Sequence, residues 1–93
     1  MPEKSARVVI EGRVQGVWFR AWTAQEAGRR NLRGWVRNRR DGAVEALFSG
    51  TDADVDDMIE ACRQGPPAAH VVNITQHPAE APEQDGFGNL PTA

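Results

Sequence analysis

The segments GWVRN (34–38) and AVEALFS (43–49) lie on either side of RRDG (39–42), and their side-chain parity fixes how they can pair. Asp-Gly between two apolar runs is a strong signal for a β-hairpin. Val36 belongs on the same face as Val44, Ala46 and Phe48. A two-residue loop at Asp41–Gly42 would set Val36 opposite Leu47 and bring the wrong faces together. A three-residue loop, Arg40 to Gly42, sets Val36 opposite Ala46. The pattern therefore predicts a type I turn with Gly42 at a positive-φ position, forming a bulge.

The elements around this hairpin follow from local chemistry. RVVIEGR (7–13) alternates, with Val8 and Ile10 on one face and Arg7, Val9 and Glu11 on the other, which reads as a strand. A helix is expected from about Phe19 or Ala21 to Arg30. Phe19, Trp22 and Ala27 share a face there, and Asn31 closes the helix in the left-handed conformation. A second helix is punctuated by Thr51 or Asp52 at its start, by acids in its first turn, and by Gly65-Pro66-Pro67 at its end. Val55, Met58, Ile59 and Cys62 give it one apolar stripe. HVVNITQ (70–76) is the next strand, with Val72 and Ile74 facing the core. PAEAPEQDG reads as a loop, FGNL (87–90) as a candidate short fifth strand, and residues 1–5 as a disordered tip.

The order is β-α-β-β-α-β. Every strand has one apolar face and one mixed, charged face. An antiparallel sheet with two helices on one face and the other face wet is the ferredoxin-like α+β sandwich. At 93 residues the chain, 1–93, has room for one domain and one modest core.

Several function classes are disfavoured at once. No apolar run is long enough to span a bilayer, and MPEKSARVVI lacks the apolar core of a secretory signal, so the chain reads as cytosolic with no membrane partner. Cys62 is the lone cysteine, which leaves no internal disulfide. His70 and His77 have no cysteine cluster beside them, so no metal site is expected. No serine or cysteine nucleophile is set beside a histidine base, and no carboxylate pair is placed for acid–base work. A nucleic-acid-binding sheet of this topology would expose aromatics for base stacking, whereas the outward residues here are Arg7, Val9, Glu11, Glu45 and Leu47. No long apolar patch stands out beyond the core, as in a monomer. The net charge is −2, but ten of the eleven basic groups lie in residues 1–50 and eight of the thirteen acids in 51–93. That split marks the N-terminal half as friendly to anions, or else describes two solvated faces.

The stretch GRVQGVWFR (12–20) joins the first strand to the first helix. Such a junction aims free backbone N–H groups at the space above the helix N-terminus, where an anion is well placed. Gly16, with Gly12 as a second candidate, would let the backbone curl into a nest of converging N–H groups. Arg20 adds a planar guanidinium able to grip two phosphoryl oxygens. A plain glycine turn followed by a surface arginine fits the same letters. The nucleotide-binding glycine patterns are absent. Asn38 alternates with Val36 and so points to the helix-covered side near a strand end. A polar amide there either orients a water or bonds to local backbone. Trp18 either lines a pocket mouth or is simply exposed.

GRVQGVWFR, followed about fourteen residues later by GWVRNRRDGAVEA, resembles the acylphosphatase family in motif, spacing and element order, from about Arg7 to Ile74. The resemblance implies hydrolysis of the carboxyl–phosphate bond of small-molecule acyl phosphates, releasing inorganic phosphate, without metal or organic cofactor. It implies that the backbone of Gln15, Gly16, Val17, Trp18, Phe19 and Arg20 wraps the phosphate. Arg20 matches the family's phosphate-binding arginine and Asn38 its water-holding asparagine. A non-catalytic anion-binding module of the same fold is the alternative. A third possibility is a module of a larger hydrogenase-maturation carbamoyltransferase; the short tail favours a free-standing enzyme. Three positions depart from the family pattern: Arg30 for an apolar residue, Asn31 for glycine, and Asn89 for an inward apolar residue of the last strand.

Overall fold

The computed structural model describes residues 2–93. Its elements are β1 (Glu3–Arg13), α1 (Phe19–Arg29), β2 (Arg33–Asn38), β3 (Val44–Thr51), α2 (Asp52–Gln64), β4 (His70–Pro78) and β5 (Phe87–Asn89). They form one five-stranded sheet in the order β4-β1-β3-β2-β5, with α1 and α2 packed on one face. The expected ferredoxin-like α+β sandwich is the observed architecture. The four long strands are antiparallel, while β5 runs parallel to β2, so the sheet is mixed at that edge.

The hairpin takes the anticipated register, with Val36 opposite Ala46 and Gly42 at φ 96°. Arg39 N–H donates to the Ala43 carbonyl at 2.8 Å, and Gly42 N–H to the Arg39 carbonyl at 3.2 Å, closing the turn. The core lies between sheet and helices. Phe19, Phe48, Ile10 and Met58 are its largest fully buried side chains, each contributing roughly 1.5–3 kcal/mol by leaving water. Thr51 caps α2 by accepting from Asp54 N–H at 3.2 Å. Asn31 closes α1 at φ 55°. Thr23, on the buried face of α1, satisfies its hydroxyl by donating to the Phe19 carbonyl at 2.8 Å. Trp22 is partly buried, edge-on to Phe19. Arg30, where the family pattern has an apolar residue, bonds Glu26 on its own helix and Asp57 on α2, tying the two helices together.

Three local readings are corrected. Residues 1–5 were expected as a disordered tip; Glu3–Ser5 instead belong to β1 and pair with Ser49–Thr51, while Met1 lies outside the described residues. A side-chain contact from Lys4 to Asp56 and a hydroxyl pair, Ser5 with Ser49 at 2.7 Å, reinforce that end. In β4 the core-facing pair is Val71 and Ile74, and Val72 is 71% exposed. The cause is a bulge: Glu11 pairs with Asn73 but Gly12 with Val71, leaving Val72 as the extra residue. Gly12 serves this bulge and not the following loop. Its φ is 130°, and a Cβ there would lie 2.2 Å from the His70 carbonyl oxygen.

The third correction concerns the open face of the sheet, which is not wet throughout. On β3, Leu47, Ser49 and Glu45 are all buried. Glu45 accepts from Arg37 Nε at 2.8 Å and from Arg7 Nη1 at 2.9 Å, and Arg37 also stacks over Trp35. Desolvation, the largest single influence, pushes the Glu45 carboxyl up, but the hydrogen bonds and charges of Arg37 and Arg7 together outweigh it and hold the carboxyl below its ordinary range. A carboxyl depressed on folding stabilises fully above its unfolded value and loses that contribution as pH falls through the folded one. Urea midpoints measured from pH 6 down to pH 3 should therefore fall more steeply for the parent protein than for Glu45→Gln. At pH 7 the variant should be less stable by about 2 kcal/mol, the scale of hydrogen bonds to a charged group. Parallel pH profiles for the two proteins would contradict this account.

Candidate active site

The loop between β1 and α1 is built from alternating anchors and open positions. Val14 and Val17 are buried and pin it to the core, while Gly16 and Trp18 face outward. Gly16 has φ 73° with open space around its α-carbon, so glycine is needed there for its conformation and not for room. Trp18 is also left-handed, at φ 68° and ψ 19°, although it carries a bulky side chain that is 81% exposed. That conformation costs a non-glycine residue about 1–2 kcal/mol. Strain of this kind persists only where the surrounding structure over-determines it, and it concentrates at ligand sites.

Trp18 is the N-cap of α1, and no side chain caps the helix; its first turn carries no acid. The first-turn N–H groups and the positive end of the helix dipole therefore face the loop with no protein partner supplied from a cap. With two left-handed residues just before them, these groups form a concavity suited to an anion. Arg20, in the first turn, is exposed, and among the described residues no carboxylate forms a salt bridge with it. Its charge is unspent, unlike that of Arg7, Arg37 or Arg39, each of which faces an acid.

Asn38 reaches the same place from the sheet. It ends β2, opposite Val44, and its backbone carbonyl accepts from Ala93 N–H at 3.0 Å. Its side-chain amide is half-buried and takes no part in the side-chain hydrogen bonds of the described residues. Asn38, Arg20, Gly16, Trp18 and Phe19 line one cavity of about 460 Å³, together with Val14, Ala21 and Asn89. Among the described residues the Asn38 side chain makes no hydrogen bond to local backbone.

Gln15 has a role that spacing did not reveal. Its side-chain Nε2 donates to the Arg39 carbonyl at 2.7 Å and to the Ala43 carbonyl at 2.9 Å. These two bonds join the loop to the hairpin that carries Asn38, so one side chain sets the distance between the anion-binding loop and the opposite wall. Gln15→Leu should cost about 1–3 kcal/mol, because two carbonyls in a part-buried site lose a donor. It should also lower turnover about tenfold or more by loosening the geometry. Thermal melts and steady-state kinetics on the one variant check both, and an unchanged kcat would remove Gln15 from the positioning role.

Asn89 was also missed as a wall of the cavity. The sequence marks it only as a polar residue where the last strand should turn an apolar one inward. The strand forms regardless, because Leu90 N–H donates to the Val36 carbonyl at 2.9 Å and Phe87 stacks on Phe48 with ring centres 5.7 Å apart. Asn89, opposite Val36, then sits on the cavity rim.

Other candidates stay apart from this site. Cys62 is buried in the core, and burial pushes its thiol up to about 12 against a weak opposing pull from Arg30, so it is unreactive at neutral pH. His70 and His77 lie on β4, at the opposite edge of the sheet from β2 and β5. Among the described residues no group of three His, Cys, Asp or Glu side chains could hold a metal ion, and no helix is long and apolar enough to cross a membrane.

Known proteins share this sequence and fold. The acylphosphatase family model matches residues 6–88. An acylphosphatase of Rhodospirillum rubrum is 52% identical over 89 residues, covering 96% of this chain and 98% of that one. The crystal structure of an acylphosphatase from Bacillus subtilis superposes with a TM-score of 0.87 at 37% identity, over 92% of this chain and 97% of that one. A structure of an acylphosphatase from Coxiella burnetii gives 0.90 at 31% identity, over 95% and 93%. With the family model spanning most of its length and a relative sharing half its residues, the chain belongs to the acylphosphatase family.

Proposed function

We propose that, in the acylphosphatase reaction, the backbone of Gln15, Gly16, Val17, Trp18, Phe19 and Arg20 together with the Arg20 guanidinium holds the phosphoryl group, and that Asn38 holds the attacking water. The observation that carries this reading is the single cavity in which an uncapped helix N-terminus, an unpaired arginine and an unpartnered amide meet. The substrate is a small-molecule acyl phosphate and the products are a carboxylate and inorganic phosphate.

The chemistry asks little of the side chains. The carboxylate is a good leaving group, so positioning and charge stabilisation supply most of the acceleration. Water oxygen forms a bond to phosphorus as the bond from phosphorus to the acyl oxygen breaks, and the departing carboxylate keeps that electron pair. The loop N–H groups and Arg20 balance the charge on the equatorial oxygens. Asn38 accepts a hydrogen bond from the water and so points a lone pair at phosphorus. An amide cannot take the proton, and the substrate's own phosphoryl oxygen receives it. A rate profile that tracks an essential side-chain ionisation in the chemical step would contradict that proton path.

Hydrolysis of benzoyl phosphate in the presence of a chelator tests the whole reading. Rapid turnover that survives chelation is the expected result. Phosphate binding in the loop without turnover would instead identify an anion-binding module. The same reading has the chain acting as a cytosolic monomer on a free substrate, with no membrane or nucleic-acid partner. Its exposed large apolar residues, Trp18, Val72 and Leu90, lie on three separate segments. Light scattering on a chromatography peak should give a mass near 10.2 kDa, and twice that value would count against the monomer.

A further inference from the structure

The cavity is much larger than a phosphoryl group requires, and its walls differ in kind. Arg20, the loop around Gly16 and Asn38 account for the phosphate and the water. Two polar or aromatic groups remain on the rim: the exposed Trp18 ring and the Asn89 side chain. Asn89 is exposed and takes no part in the side-chain hydrogen bonds of the described residues. It is also firmly placed. Backbone bonds fix the last strand on both sides of it, from Gly34 N–H to the Gly86 carbonyl before it and from Leu90 N–H to the Val36 carbonyl after it, and β5 packs beside α1. Asn89 alternates with Phe87, whose ring stacks on buried Phe48, so both point to the helix side, and Asn89 lines the cavity there.

We propose that Asn89 is a specificity-determining residue that contacts the acyl group. It would favour acyl phosphates whose acyl part carries an uncharged hydrogen-bonding group, such as an amide or hydroxyl, over those with a bare hydrocarbon. This rests on the acyl phosphate reading above. The amide offers both donors and an acceptor, so it complements such a group in either sense. An acyl chain of hydrocarbon alone strips water from Asn89 without replacing the lost bonds, which penalises it relative to a polar one. The exposed Trp18 ring, which lines the same cavity, would supply a flat apolar surface for the body of the acyl group.

The test compares benzoyl phosphate with its meta- and para-carbamoyl derivatives, on the parent protein and on Asn89→Leu. The parent protein should show a KM for at least one carbamoyl derivative about three- to tenfold below that for benzoyl phosphate, the range one net hydrogen bond supplies. In Asn89→Leu that ratio should fall to one or invert, with kcat changing much less than KM. Asn89→Ser, which keeps a hydroxyl, should recover part of the preference and replaces the leucine variant if the latter does not fold. A carbamoyl-to-benzoyl KM ratio that is the same in parent and variants overturns the proposal, as does a loss confined to kcat. Hydrolysis of none of the three substrates by the parent protein overturns the acyl phosphate reading as well. Hydrolysis of all three with an unaltered ratio overturns the role of Asn89 alone.

Discussion

Asn38→Ala should bind inorganic phosphate nearly as tightly as the parent protein and lose most of its turnover, by roughly 10²–10³-fold, the range seen when one preorganised polar group is removed from a reacting centre. The separation follows from where the parts sit. In the proposed reading the phosphate is held by the loop and Arg20, which belong to the β1–α1 junction, while Asn38 comes from the end of β2 on the opposite wall. Deleting its amide removes nothing from the loop. It does remove the amide to which the proposed reading assigns the water, and effective concentration is lost when the nucleophile is no longer oriented. The Asn38 carbonyl accepts from Ala93 N–H, and its register opposite Val44 does not involve the side chain, so the strand should persist. Asn38→Asp is the sharper companion. Its carboxylate can still accept from water, but it sets a negative charge beside the phosphoryl oxygens, and affinity should fall with turnover. Isothermal titration with phosphate and initial rates on benzoyl phosphate separate the two effects. If Asn38→Ala loses phosphate affinity in proportion to its rate, the amide contacts the phosphate and the assigned role is wrong.

What was legible in the chain, and what was not, divides along physical lines. The hairpin register could be read because a period of two leaves no freedom once Val36, Val44, Ala46 and Phe48 must share a face. The second helix could be read because its caps and its apolar stripe agree. The inward face of β4 could not, since a bulge opposite Gly12 shifts the alternation by one, and neither Val71 nor Val72 carries a mark of it. The ordering of Glu3–Ser5 depends on pairing with β3, a contact between residues more than forty positions apart. Arg20 and Asn38 stood out from loop composition, strand parity and family resemblance together. Those signals put Gln15 in the loop but did not reveal its side-chain role, nor the place of Asn89. Gln15 acts through side-chain bonds to carbonyls 24 and 28 residues away, and Asn89 reaches the cavity because β5 adds parallel to β2. Both facts belong to tertiary placement, which local pattern does not encode.

Arg20→Ala, in contrast to the asparagine variant, should weaken phosphate binding and cut turnover together, the latter by at least roughly 10²-fold, or about 2.7 kcal/mol of transition-state stabilisation. In the proposed reading its side chain touches the ligand in both ground and transition states, and no carboxylate of the described residues neutralises it. The guanidinium charge is therefore available in full to the phosphoryl oxygens. Folding should scarcely change, since the residue is exposed and stands away from the core, where substitutions usually stay within about 0.5 kcal/mol. Arg20→Lys should fall between, because it keeps the charge but not the planar fork that addresses two oxygens at once. Salt gives an independent check. An exposed cation meeting an anion is screened, so parent affinity for phosphate should fall as ionic strength rises, and the slope should flatten in Arg20→Ala. An alanine variant with parental phosphate affinity would leave the loop N–H groups as sufficient holders and reduce Arg20 to a surface charge. A variant that loses affinity while Asn38→Ala retains it assigns one wall of the cavity to the phosphate and the other to the water.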